Sequence, residues 1–183
     1  MKVKATLDEI CDNIRQYREA DVDAEHVKRF VRMIVSARRI FVYGAGRSGL
    51  IGKCFAQRLM HLGLETYALG ETITPSMSKK DVLVSISGSG GTISTLAIAR
   101  GAKMLGAKVI LMTAHPKSRL ARTANLVFFV RGKTKVGEYA SLAPFTSLFD
   151  ITTLAVLDSL CAEIMDRLGA TEQTIHRAHA TVE

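Results

Sequence analysis

Leu7, Ile10, Cys11, Ile14 and Tyr17 recur at helical spacing near the start of the chain, and Val27, Phe30, Val31, Ile34 and Val35 repeat the pattern one connection later. Two amphipathic helices are therefore expected over 1–37, ahead of any strand. From there short β-branched runs alternate with helical segments. Ile40-Phe41-Val42-Tyr43 leads into a helix over Ser48–His61, Glu65–Leu69 into a turn region, and Asp81–Ser85 into a helix over Thr92–Leu105. Lys108–Met112 and Leu126–Val130 make five strands, with a short helix expected between them over Ser118–Thr123. Strands that are apolar with little alternation, and separated by helices, predict a parallel sheet covered on both faces. The expected core, 38–131, is a three-layer α/β/α sandwich built on a five-stranded parallel sheet.

Beyond Val130 the texture changes. Arg131–Ser141 is polar, and Pro144 can occupy the first turn of a long helix reaching about Leu168, so that 144–183 is read as C-terminal helices. Leu148, Phe149, Ile151, Leu154, Leu157, Cys161 and Ile164 make that helix apolar over more than one face. One face can cover the sheet; the other asks for a partner, and a homo-oligomer is expected. A length of 183 residues suits a single domain over the whole chain.

Composition narrows the class. With 48% hydrophobic and 23% charged residues the chain reads as an ordinary globular protein, which excludes disordered, collagen-like and disulfide-scaffold classes. No apolar run approaches the roughly 20 residues of a membrane span, and the charged start Met1–Glu9 does not read as a signal peptide. Cys11, Cys54 and Cys161 are odd in number and far apart, and are expected to be reduced core thiols in a cytoplasmic chain, with no metal. The net charge of +8 is uneven: 19 Lys and Arg face three acids between His26 and Gly137, while both flanks are acidic. A basic middle suits an anionic ligand. Nucleic acid is not expected, because no stretch interleaves aromatic with basic residues.

Two loops could hold that anion. Gly44-Ala45-Gly46-Arg47-Ser48-Gly49 follows the first strand and opens a helix. Alone it matches the dinucleotide fingerprint G-x-G-x-x-G, with Glu71 as the ribose-binding acid, or else a plain tight turn. The second loop, Ser85-Ile86-Ser87-Gly88-Ser89-Gly90-Gly91-Thr92, also ends an apolar strand and begins a helix. Free amides at a helix N-terminus bind anions, and the hydroxyls add donors that a dinucleotide loop does not require. One Ser-rich turn reads as a helix cap. Two at the carboxyl ends of strands read as a phosphomonoester site.

The pairing of these loops resembles the sugar isomerase (SIS) domain family. Arg58-Leu59-Met60-His61-Leu62-Gly63, Gly70-Glu71-Thr72-Ile73-Thr74-Pro75, Ala143-Pro144-Phe145-Thr146-Ser147-Leu148-Phe149-Asp150 and the closing His179-Ala180-Thr181-Val182-Glu183 look like one branch of it, the 6-phospho-3-hexuloisomerases. The resemblance implies a Rossmann-like fold and a tetramer. It also implies a cofactor-free, metal-free isomerisation between 3-hexulose 6-phosphate and fructose 6-phosphate. By the same resemblance Gly46, Ser48, Ser87, Gly88, Ser89 and Thr92 hold the phosphate, Arg47 reaches the sugar or its phosphate, and His179 enters an active site, that of a neighbouring subunit. Family members usually carry Glu where this chain has Gly91 and Asp150.

Moving a carbonyl between adjacent carbons needs a base that can return the proton it removes, and a carboxylate suits this. Asp150 and Glu138 are the acids near the start of the last long helix. Asp150 also reads as a first-turn acid complementing the helix dipole, and Glu138 as a solvated loop acid. Arg47, backbone amides and His179 could stabilise the enediolate, and His179 could move protons between oxygens. His26 and His61 read as structural or exposed, His115 as a lesser alternative, and His176 lacks the partners zinc would need. Other readings stay open: arabinose-5-phosphate isomerase, a catalytically impaired sugar-phosphate sensor or scaffold, and a nucleotide-dependent oxidoreductase resting on the glycine motif alone.

Overall fold

The computed structural model describes residues 1–136 and 140–181. Its helices are α1 (Lys2–Ala20), α2 (Ala24–Val35), α3 (Arg47–His61), α4 (Ile93–Met104), α5 (Ser147–Leu168) and α6 (Glu172–Ala178). Its strands are β1 (Ile40–Gly44), β2 (Thr66–Ala68), β3 (Val82–Ile86), β4 (Lys108–Thr113) and β5 (Leu126–Phe129). All strand pairs are parallel, in the order β2-β1-β3-β4-β5.

Alternate residues of the central strands enter two cores, as a sheet covered on both faces requires. Ile40, Val42, Val82, Val84, Ile86, Ile110 and Met112 pack with Phe30, Ile34, Phe55 and Leu59 of α2 and α3 and with Leu157 and Leu160 of α5. Phe41, Leu83, Val109 and Leu111 pack on the other face with Leu96 and Ala99 of α4 and with Leu120. The three-layer α/β/α expectation holds.

Register brings the chemistry to one place. Gly44 of β1 pairs with Ile86 of β3, so the two strands end level and their following loops start side by side. One loop leads to α3 on one face and the other to α4 on the opposite face. This divergence is the topological switch point at which open α/β sheets form their ligand crevice.

Four expectations change. The segment 118–123 is a run of turns with no helix, because the Leu120 amide reaches across to the Gly90 carbonyl (3.0 Å) and the Ala121 amide to Ser118 Oγ (3.3 Å). α5 begins at Ser147, three residues after Pro144, because Phe145 takes a left-handed conformation (φ 50°) that no α-helix admits. The second apolar face of α5 is covered within the chain by α1, α2 and α3, so it no longer argues for self-association. Of the three cysteines only Cys161 is buried, its thiol pushed up to about 12 by burial and by the charge of Asp158; Cys11 and Cys54 are exposed.

Candidate active site

The first loop is built around close backbone contact. A Cβ on Gly44 would lie 2.7 Å from the Ser48 carbonyl carbon, and one on Gly49 would lie 2.5 Å from the Gly44 oxygen. Only two glycines let the end of β1 touch the first turn of α3 in this way. Gly46, at φ 60° and ψ −132°, caps α3 without a side chain, which leaves the first amides of the helix aimed outward.

The second loop turns on Gly90, whose amide donates to the Ser87 carbonyl (3.0 Å). Ser87 Oγ donates to Thr92 Oγ1 (3.3 Å), and the Gly91 amide donates to Ser89 Oγ (3.3 Å). Thr92 is the N-cap of α4, yet its hydroxyl makes no capping bond and is left to the crevice. Both loops open into one cavity of about 410 Å³, lined by Gly46, Arg47, Ser48, Ser87, Gly88, Ser89 and Thr92. All seven positions expected to bind phosphate therefore meet. Thr134, Lys135 and the turn before α5, Pro144–Ser147, close the other side with Phe149.

Asp150 is placed differently from a base open to substrate. Its side chain is fully buried and does not line the cavity. Oδ1 accepts from Ser48 Oγ (3.1 Å), Oδ2 accepts from Thr146 Oγ1 (2.6 Å), and Arg47 Nε lies 3.3 Å from Oδ2. Ser48 has committed its hydroxyl proton to this carboxylate, and what it offers the cavity is its helix-terminal amide. Asp150 thus ties the starts of α3 and α5 together beneath the site.

Glu138 lies outside the described residues. His179 is exposed and stacks on His61, with ring centroids 5.4 Å apart and planes 28° apart. His61 ends α3 whereas the cavity opens at the other end of that helix, roughly 20 Å away at 1.5 Å rise per residue. His179 does not reach its own chain's cavity. Glu71 pairs with Lys53 away from it, and His115 Nε2 is 3.0 Å from Thr134 Oγ1 behind the cavity wall. Among the described residues no group of three or more His, Cys, Asp and Glu is arranged to hold a metal ion, and no helix is long and apolar enough to cross a membrane.

Sequence reasoning missed the wall formed by Thr134, Phe145, Thr146 and Phe149. Pro144 held the available signal, since a proline that does not start its helix starts a turn.

The SIS domain family model matches residues 33–161. A 3-hexulose-6-phosphate isomerase of Methanocaldococcus jannaschii is 37% identical, over 96% of this chain and 96% of its own length. One of Bacillus subtilis is also 37% identical, over 90% of this chain and 87% of its own. A Methanococcus jannaschii crystal structure, for which a 3-hexulose-6-phosphate isomerase function has been inferred, superposes with a TM-score of 0.87 at 33% identity, covering all of both chains. The chain belongs to the SIS domain family and within it is similar to the 3-hexulose-6-phosphate isomerases.

Proposed function

We propose that the chain is a sugar-phosphate isomerase that interconverts 3-hexulose 6-phosphate and fructose 6-phosphate through an enediolate. The observation that carries this reading is the convergence of two helix N-termini on one cavity at the switch point. The amides at the starts of α3 and α4, with the hydroxyls of Ser87, Ser89 and Thr92, take the phosphate oxygens. Arg47, which lines the cavity, adds a cation.

The base takes the proton from C2 of the 3-ketose, electrons move to the C3 oxygen, and the base, whose proton exchanges with solvent while the enediolate persists, returns a proton at C3. The O2 proton passes to O3 and leaves the carbonyl at C2. We assign the carbon proton to Glu138, because both Asp150 oxygens are engaged by donors and Asp150 is sealed from the cavity. Asp150 positions Arg47 and the first turn of α3. His179, held far from its own cavity, acts on a neighbouring copy, in keeping with the oligomer implied by the family resemblance.

The test is fructose 6-phosphate incubated with the protein in heavy water. Solvent deuterium at C3 of fructose 6-phosphate, with formation of the 3-ketose, is expected; deuterium at C1 alone would mark a 1,2-isomerase and overturn the C2–C3 reading. Thermal stabilisation by the sugar phosphate without exchange would instead mark a sensor. With Ser87→Ala and Ser89→Ala combined, the Michaelis constant should rise about a hundredfold or more, in line with the loss of two hydrogen bonds to a charged group.

A further inference from the structure

Two unfavourable choices coincide at Phe145. Its backbone has φ 50°, and it is the one non-glycine residue with positive φ among the described residues. The Ser147 amide donates to the Pro144 carbonyl (3.0 Å), and Thr146 sits at φ −97°, ψ 9°. A positive φ followed by these angles is a type II′ turn, whose first central position favours glycine. Phe145 is also 67% exposed, so burial within the chain does not account for an aromatic residue there. Yet Phe145 lines the cavity read as the phosphate site.

The strain is held from both sides. Glu9 of α1 accepts the amides of Leu142 and Ala143, each at 2.9 Å, just before the turn. Thr146 Oγ1 donates to the buried Asp150 carboxylate at 2.6 Å, just after it. A strained residue persists only where its surroundings over-determine it, and such residues gather at ligand sites. The opposite wall of the cavity is polar and suits a phosphate. A sugar phosphate also presents C–H groups along its carbon chain, and ligand sites meet such surface with aromatic rings.

We infer that Phe145 is a specificity-determining residue whose ring covers the carbon chain of the bound sugar phosphate, held in place by the strained Pro144–Ser147 turn. This rests on the reading of the cavity as a sugar-phosphate site, and the experiment separates the two. Phe145→Gly and Phe145→Leu are compared with wild type for fructose 6-phosphate turnover, for calorimetric binding of fructose 6-phosphate and of inorganic phosphate, and for melting temperature. Loss of the ring is expected to weaken fructose 6-phosphate about tenfold in the glycine variant, an effect of the size that apolar pocket contacts carry. Phosphate binding should move less than twofold, and Phe145→Leu should recover part of the loss. The glycine variant should melt at or above the wild-type temperature, because glycine accepts the turn without strain.

Equal weakening of both ligands, or of neither, overturns the inference, as does a change in oligomeric mass without the split between ligands. Should wild type bind fructose 6-phosphate without isomerising it, the catalytic reading fails while the binding split still decides the role of Phe145. Should wild type bind the sugar phosphate no more tightly than phosphate, the ring grips nothing and the inference falls.

Discussion

A buried carboxylate with both oxygens occupied is a poor proton shuttle and a good clamp. Asp150 accepts from Ser48 and Thr146 and lies beside Arg47, so removing its charge frees three groups that line or border the cavity. Asp150→Asn is expected to lower kcat/KM by about a hundredfold through misplacement, with an unshifted pH–rate profile. Glu138→Gln should lower kcat by about 10² to 10⁴ and abolish deuterium exchange, as loss of a base does. The pH profile decides between them: an acid limb lost in Asp150→Asn would restore Asp150 as the base. At this scale the sequence was informative where chemistry is local. A Ser-rich loop behind a β-branched run announces its anion site, because amides and hydroxyls need only a helix start to converge. Asp150 was recognisable as an acid at the start of a helix, but its partners Ser48 and Arg47 are 102 or more residues distant in sequence, and nothing local says which way its oxygens face.

The elements are fastened at their opposite ends too. Arg38, just before β1, makes a two-pronged pair with Asp81, just before β3 (Nε–Oδ1 3.1 Å, Nη2–Oδ2 3.2 Å), and the Ser78 amide donates to Oδ2 (2.6 Å). Burial by itself would raise the Asp81 carboxyl, but the Arg38 and Ser78 hydrogen bonds and the Arg38 charge outweigh it and hold it below the usual carboxylate range. A depressed folded-state value means that Asp81 stabilises the fold above the unfolded carboxylate pKa, near 3.9, and that this contribution disappears as pH falls through the folded value. Asp81→Asn should therefore cost about 1–3 kcal/mol at pH 7, with the gap to wild type closing below about pH 4 in denaturant titrations. Periodicity located all five strands and most helices because burial on both faces writes long apolar runs. It failed for 118–123, where the Leu120 amide is taken by the Gly90 carbonyl of a distant loop, and for the start of α5, where a II′-like turn occupies positions that composition alone reads as helical.

For the whole molecule, the question is where α6 delivers the chain's end. Stacking on His61 leaves His179 at the far end of α3 from the cavity that α3 helps to form. If His179 serves a neighbour's site, two defective variants should complement each other. Mixing His179→Ala with Glu138→Gln under subunit exchange should recover a measurable fraction of wild-type turnover, whereas each alone stays low. No recovery in mixtures shown by native mass spectrometry to have exchanged would remove His179 from the reaction. In the sequence only the family resemblance pointed to a neighbour's site; the distance between the two ends of α3 becomes evident only once α6 has folded back.

The contact between Gly44 and Gly49 divides the cavity into a wall that cannot change and a wall that can. A single added methyl on either glycine would lever α3 off the sheet, carrying the anion seat with it. The turn across from it tolerates, and even lacks, its preferred residue. Retuning this scaffold toward a longer, shorter or differently branched sugar is therefore expected to start at position 145, with Thr146 kept for its bond to Asp150 and the hinge of backbone opposite left untouched.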